Sequence, residues 1–291
     1  MLQTLRQKLQ AGGDLGTLPF VVQNLLSLMA DPTASARDLK RVIQADQALV
    51  ARVLKLANSA YYGFAHKISD VGQAVTLIGF GALRRMVMSI TAFDMFFRSG
   101  NEVYDRNTLW YHSLSTACCA RLLASRLGAA SSEEMFAAGL LHDVGLALLD
   151  QHVHACFVSL MRTAREQGRS LIDVERSALG VTHEEVGMWA ANAWNLPPVL
   201  SFAIRNHHSP FEAGPYIVPA TVVGLADMLC DDPFMTIDDK DRLIPPLATY
   251  LRLSAADQEK VMRETAEEVG RVTEFLNLQD DGRRRAGQSL D

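Results

Sequence analysis

The chain has 291 residues, of which 48% are hydrophobic and 21% charged, enough for one large core or two packed subdomains. A formal net charge of −5 argues against a general nucleic-acid binder, whose footprint is usually a net basic face. The four cysteines form no C-x-x-C pair, and the opening "MLQTLRQKLQ" reads as an amphipathic helix rather than a signal peptide, so the expected location is cytoplasmic with no membrane contact.

Helical periodicity dominates and no stretch alternates apolar and polar residues between hairpin turns, so the expected fold class is all-α. "LPFVVQNLLSLM" predicts a first core helix behind Pro19, ended by Asp31-Pro32. Ser35 is the expected N-cap of "ARDLKRVIQA", and "DQALVARVLKLANSAYYG" is expected to start a helix at Asp46 that runs through Asn58 to Gly63. "SDVGQAVTLIGFGALRRMVMSI" predicts two short helices around a bend from Gly79 to Gly81. Together these make an N-terminal helical subdomain over residues 1–100, closing on the loop "RSGNEV".

Residues 101–235 carry most of the histidines. "TLWYHSLSTACCARLLASRLG" is a long predicted helix containing His112, with Gly128 as its C-cap. "SSEEMFAAGLLHDVG" starts at Ser131 or Ser132 and ends at His142, Asp143 and Gly145. Gly180 separates two helices in "SLIDVERSALGVTHEEVGMWAANAWNLP", the second starting at Thr182 and stopping before Pro197. "PPVLSFAIRNHHSP" closes on His207 and His208, and "IVPATVVGLADMLCDD" carries Asp227 near its end. A C-terminal helical extension is expected over 236–280 and a disordered tail over 281–291. In the extension, Val261, Thr265, Val269, Val272 and Leu276 form one stripe suited to packing or to a homo-oligomer.

Five of the eight histidines lie on or at the ends of apolar helices in this region. A lone histidine on an apolar face is more often a satisfied core residue than a ligand, but the set reads differently. Asp143 follows His142 directly, and Asp227 sits in a run of small and apolar residues, where an unpartnered carboxylate is costly. A cation shared among histidines and aspartates from several helices removes that cost. Such a donor mixture suits a divalent transition metal, Fe or Mn ahead of Zn, and an aspartate can bridge a dinuclear pair that activates water.

The order His112, His142-Asp143, His183, His207-His208, Asp227 resembles the ligand series of the HD-superfamily metal-dependent phosphohydrolases, in particular the HD-GYP cyclic-dinucleotide phosphodiesterases. "LPFVVQNLLSLMADP", "IQADQALVARVLKLANSAYYG", "ISDVGQAVTLIGFGALRRMVMSI", "AAGLLHDVGLALL" and "THEEVGMWAANAWNLPPVLSFAIRNHHSP" resemble the HDOD family, the HD-related output domain of bacterial signalling proteins, over roughly residues 15 to 212. The resemblance implies an HD-like helical bundle beside an N-terminal helical subdomain, with signalling proteins as partners and a nucleotide as candidate ligand. It also implies roles: His112 as first ligand, Asp143 bridging, His183, His207 and His208 on a second metal, and Asp227 returning to the first.

Two positions depart from the catalytic pattern. Active HD-GYP proteins carry Lys after the glycine of the doublet motif, where this chain has Leu146, and a Gly-Tyr-Pro segment where it has "SPFEAGPY". Loss of that cation weakens stabilisation of charge developing on a phosphoryl group. The expected function is therefore a regulatory module with weak or absent catalysis, in which Asp143 is the residue catalysis would need. One alternative is an active phosphodiesterase in which Arg205 or Lys67 replaces the lysine. Another is a DNA-binding regulator using residues 35–58, where Arg37, Lys40, Arg41, Arg52 and Lys55 follow a helix-turn-helix rhythm but read equally well as solvated bundle faces. Smaller expectations are that Trp110, Trp189 and Trp194 fill the core between the halves, Gly187 permits close helix approach, Asn58 caps a turn, and His152 and His154 are solvated.

Overall fold

The computed structural model describes residues 20–31, 33–58, 62, 64, 66–97, 106–128, 130–230 and 236–270, and among these no strand occurs. Expectations for residues 1–19, Pro32, Gly63, the "RSGNEV" loop, Val272, Leu276 and the tail lie outside the described residues. The N-terminal helices are α1 (Phe20–Ala30), α2 (Ala36–Gln44), α3 (Gln47–Ala57), α4 (Val71–Ile78) and α5 (Phe80–Phe97). They are followed by α6 (Arg106–Leu127), α7 (Ser132–Leu141), α8 (Val144–Gln167), α9 (Leu171–Leu179), α10 (His183–Ala193), α11 (Pro198–Asn206), α12 (Ile217–Leu229), α13 (Ile237–Tyr250) and α14 (residues 255–270).

Local chemistry sets most of the boundaries. Ser35 and Asp38 exchange side-chain and backbone hydrogen bonds in a capping box at the start of α2, and at the start of α10 the Glu185 carboxylate accepts from the Thr182 backbone N–H at 2.9 Å. Ser131 caps α7, and Gly128 follows α6 at φ 62°, in the left-handed region that favours glycine. Three expectations shift. The helix beginning after Asp46 stops at Ala57, because the Asn58 side chain leaves the helix to hold Ile68, accepting from its N–H and donating to its carbonyl at 2.7 and 2.8 Å. The bend between α4 and α5 is at Gly79 alone (φ 92°), so Gly81 lies inside an 18-residue helix rather than in a longer turn. The doublet motif opens a 24-residue helix, α8, which bends at Val153 (φ −136°, ψ 37°).

The N-terminal helices attach to the rest mainly through α5, which packs on α6 and α7. Trp110 of α6 is buried and meets Phe93 of α5 edge to face, with centroids 5.3 Å apart, while Trp194 is buried and Trp189 half-buried. Arginines reinforce the packing: Arg84 reaches the Leu28 carbonyl and Glu133, and Arg85 pairs with Glu133, across the junction, while Arg121 with Glu268 and Arg126 with Glu264 join α6 to α14. These pairs, with buried Val261 and Thr265, seat α14 on its own chain, so the described part of the C-terminal stripe is occupied by intramolecular packing. The segment spanning α7 and α8 (Ser132–Gln167) is long and apolar enough to match a membrane span, yet it is largely buried in the core.

Candidate metal centre

Six helices, four by a terminus and two by a face, converge at the centre of the α6–α12 bundle. His112 projects from the middle of α6, His142 is the C-cap of α7, Asp143 the N-cap of α8, His183 the first residue of α10, His207 the C-cap of α11, and Asp227 lies near the end of α12. An aspartate at an N-cap ordinarily accepts from its own helix, but Asp143 makes no side-chain cap bond and turns into the histidines instead. The seven residues expected from the sequence as ligands all meet here.

Close approach of the helices depends on two glycines. A Cβ at Gly145 would stand 1.9 Å from the His183 carbonyl oxygen, and one at Gly224 would stand 2.2 Å from that of His207. Only glycine lets α8 meet the start of α10, and α12 meet the histidine pair, at this separation. Gly187 behaves as expected, its Cβ position lying 2.7 Å from the Ile204 side chain.

The donors divide into two lobes around Asp143. On one side Asp143 Oδ2 is 3.4 Å from His142 Nε2 and 3.9 Å from His112 Nε2, while Asp227 Oδ1 is 2.8 and 3.4 Å from the His112 and His142 Nε2 atoms. On the other, Asp143 Oδ1 is 3.6 Å from both His183 Nε2 and His207 Nε2, and His183 Nε2 is 3.2 Å from His208 Nε2. His112, His142 and Asp227 can hold one ion, and His183, His207 and His208 another, with Asp143 between them.

The outer ring nitrogens fix the tautomers. His142 Nδ1–H donates to the Gly139 carbonyl at 2.7 Å, His207 Nδ1–H to the Ile204 carbonyl at 2.8 Å, and His183 Nδ1–H to Glu175 at 2.8 Å. With its ring neutral, each Nε2 turns an electron pair inward, the arrangement second-shell partners give to metal-ligating histidines. Glu175 is fully buried and also accepts from the His183 backbone N–H. Glu184, also buried, accepts from the His208 N–H at 3.3 Å. Neither glutamate stood out in the sequence, where an acidic residue on an amphipathic helix reads as solvent-facing.

Without a cation the cluster is poorly satisfied. His112 and His142 oppose Nε2 to Nε2 at 3.2 Å, and His207 Nε2 and both Asp227 oxygens are buried without an aligned hydrogen-bond partner. Burial disfavours charge on Asp143 and Asp227, yet the surrounding imidazoles hold both carboxyls well below the usual range. Burial would also lower His142 and His183. Asp143 and Asp227 instead raise His142 well above its ordinary value, and Glu175, with Asp143, pushes His183 up to about 10. His208 goes the other way, lowered by burial and then by the neighbouring His207. The donors present therefore fit a divalent metal centre.

The expected replacements for the missing lysine stand elsewhere. Leu146 is fully buried in the core, Arg205 faces Glu184 and Glu185 at 3.9 and 3.5 Å, and Lys67 is exposed in the connection before α4. The "SPFEAGPY" segment forms two single 3-10 turns, Pro210–Glu212 and Gly214–Tyr216. His154 is half-buried rather than solvated, bonded through Nδ1 to buried Asp150 at 2.6 Å.

Comparison with known proteins gives this architecture a family. A model of the HDOD domain matches residues 15–210. The chain is 28% identical to an HDOD domain protein of unknown function from Geobacter sulfurreducens, with a TM-score of 0.76 covering 92% of this chain and 95% of the other. A phosphohydrolase by name only, from Shewanella amazonensis SB2B, shares the fold at 24% identity and a TM-score of 0.70, covering 93% and 96% of the two chains. An uncharacterised protein of Treponema pallidum (strain Nichols) is 27% identical over 274 residues, and the 91% of the chain that aligns spans about half of that relative's length (52%). With a matching domain model across two thirds of its length and an all-helical fold shared with these structures, the chain belongs to the HDOD domain family.

Proposed function

We propose that this chain is a regulatory signalling module of the bacterial cytoplasm, built around a dinuclear metal centre and lacking efficient phosphohydrolase turnover. The observation that carries the reading is the convergence of seven inward-facing donors beside a fully buried Leu146. His112, His142, Asp227 and one oxygen of Asp143 would hold the first ion, and the other oxygen of Asp143 with His183, His207 and His208 the second. Fe or Mn, and after them Zn, suit this imidazole and carboxylate set.

When bound, such a pair supplies Lewis acidity and a water of lowered pKa. The chain's own residues position that centre: Glu175 fixes the His183 tautomer, the Gly139 and Ile204 carbonyls fix His142 and His207, and Asp143 spans both lobes. Among the described residues, the nearby Arg205 is not free to meet a phosphoryl oxygen, since it is engaged by Glu184 and Glu185. The output is then contact with other signalling proteins rather than turnover. The test is elemental analysis of the purified chain together with hydrolysis assays on cyclic dinucleotides and nucleotides. Metal at up to two ions per chain without hydrolysis supports the reading; hydrolysis abolished by Asp143→Ala replaces it with an active phosphodiesterase, and absence of metal removes both.

A further inference from the structure

A concave surface lies between α2 and α4, away from the metal ligands. It is an open groove of about 460 Å³, lined by Arg37, Lys40, Arg41 and Gln44 on one wall and by Gly72, Val75 and Thr76 on the other, with Ala36 at its end. Three of these side chains are cationic and none is acidic. Arg41 and Lys40 have carboxylates at hand, Asp38 at 3.6 Å and Asp70 at 3.9 Å, but Asp38 is tied to Ser35 and Asp70 to the first N–H groups of α4. Arg37 forms no ion pair among the described residues.

The charge distribution along the chain sharpens this. Residues 1–100 contain 11 Lys and Arg against 6 Asp and Glu, so the first third is basic within an acidic protein. A cation-lined concavity in such a segment concentrates anions. Arg37, Lys40 and Arg41 fall within about 6 Å along the helix axis. That spacing matches one compact, multiply charged group. An extended nucleic-acid strand spreads its charges along its axis and would call on Arg52 and Lys55 of α3, which do not line the concavity. The volume also exceeds what one phosphate needs and falls within the range of small-molecule sites, with Val75 and Gly72 as an apolar wall and Gln44 as an amide.

We propose that the groove between α2 and α4 binds a small molecule bearing clustered phosphates, of the size of a nucleoside diphosphate. Arginine forks and the Lys40 ammonium hold the phosphates, and the Gly72–Val75 wall takes the less polar part. This site is separate from the metal centre and does not depend on its occupancy.

The test is calorimetric titration of the full chain with pyrophosphate and with ADP, before and after metal is stripped with EDTA. Both probes are expected to bind, with affinity unchanged by EDTA. Arg37→Ala with Arg41→Ala is expected to weaken pyrophosphate binding about tenfold or more, the loss of two charge-assisted hydrogen bonds. Thr76→Glu, which places a carboxylate in the lining at an exposed helical position, is expected to abolish it while leaving the melting midpoint in place. Failure of both probes to bind at millimolar concentration, equal affinity in the variants, or loss of binding on EDTA treatment overturns the proposal. So does equally tight citrate, which would mean unspecific anion attraction, or a DNA duplex that binds more tightly and depends on Arg52 and Lys55.

Discussion

Replacing Gly145 with alanine tests whether helix approach builds the second lobe of the metal centre. The new Cβ would stand 1.9 Å from the His183 carbonyl oxygen, and its other near neighbours, the His183 carbonyl carbon and the Gly187 nitrogen at 2.7 and 3.0 Å, are also backbone atoms that no rotamer can move. Relief needs a displacement of about 1 Å between α8 and α10, whereas metal coordination tolerates about 0.2 Å. Overpacking of this kind costs about 1–3 kcal/mol, and in a chain of this size each kcal/mol lowers the melting midpoint by about 2–4 °C. His183 rides on the displaced turn, while His112, His142 and Asp227 come from α6, α7 and α12. The expected outcome is a folded chain with a lower melting midpoint that retains at most one of two tightly held ions, read by elemental analysis after dialysis. Gly187→Ala serves as comparison, because its closest contact is a single side-chain methyl, Ile204 Cγ2 at 2.7 Å, rather than backbone, and a smaller loss is expected. If Gly145→Ala keeps the full metal complement and the wild-type midpoint, the close approach does not shape the centre and the reasoning fails.

Glu175→Gln keeps the shape of the side chain but removes the charge that His183 Nδ1–H and N–H donate to, and is expected to lower metal affinity about 10–100-fold by competition with a chelator, without unfolding the chain. Metal affinity is expected to fall on acidification, by up to about tenfold per pH unit for each proton displaced, because His142 and His183 retain protons at neutral pH that a metal must remove; an affinity flat from pH 6 to 9 contradicts this. In the metal-free chain the same His183 shift, from 6.5 to about 10, contributes stability that is full below pH 6.5 and lost as pH rises toward 10, so denaturant midpoints should decline across that window. Leu146→Lys restores the sequence motif but places an ammonium in a fully buried position, so a lower melting midpoint and no gain of phosphodiesterase activity are expected; a stable, active variant would show that this lysine alone was missing.

Local signals proved legible where the chemistry is local. The N-cap at Ser35, the helix start at Thr182 and the stop at Gly128 could be read directly, since the residues that set them lie within a turn. The ligand series was legible for a different reason: His112, His142, His183, His207 and Asp227 are polar residues in otherwise apolar helical runs, each an anomaly on its own face. What escaped is tertiary. Glu175 shares its helix with exposed Asp173 and Glu184 with half-buried Glu185, and only packing tells which carboxylate is buried. Gly145 and Gly224 are required by carbonyls 38 and 17 residues away in sequence, beyond any local pattern. The long α8 was obscured by the polar "DQHVH" segment and by the bend at Val153 within it.

Leu146 bears on how far this chain stands from a phosphohydrolase. Its N–H bonds to the Asp143 carbonyl at 3.0 Å, so it occupies the first turn of α8, close to Asp143, yet its side chain is wholly within the apolar core. A lysine there could not reach a phosphate without repacking that turn, and the turn is locked by the contact of Gly145 with His183. The departure from the catalytic pattern is thus built into the packing that also aligns the ligands. A metal pair held in this frame would join α6, α7, α8, α10, α11 and α12. Its presence or absence would then act chiefly on how those helices sit together, a change that a partner protein can read without any bond being broken.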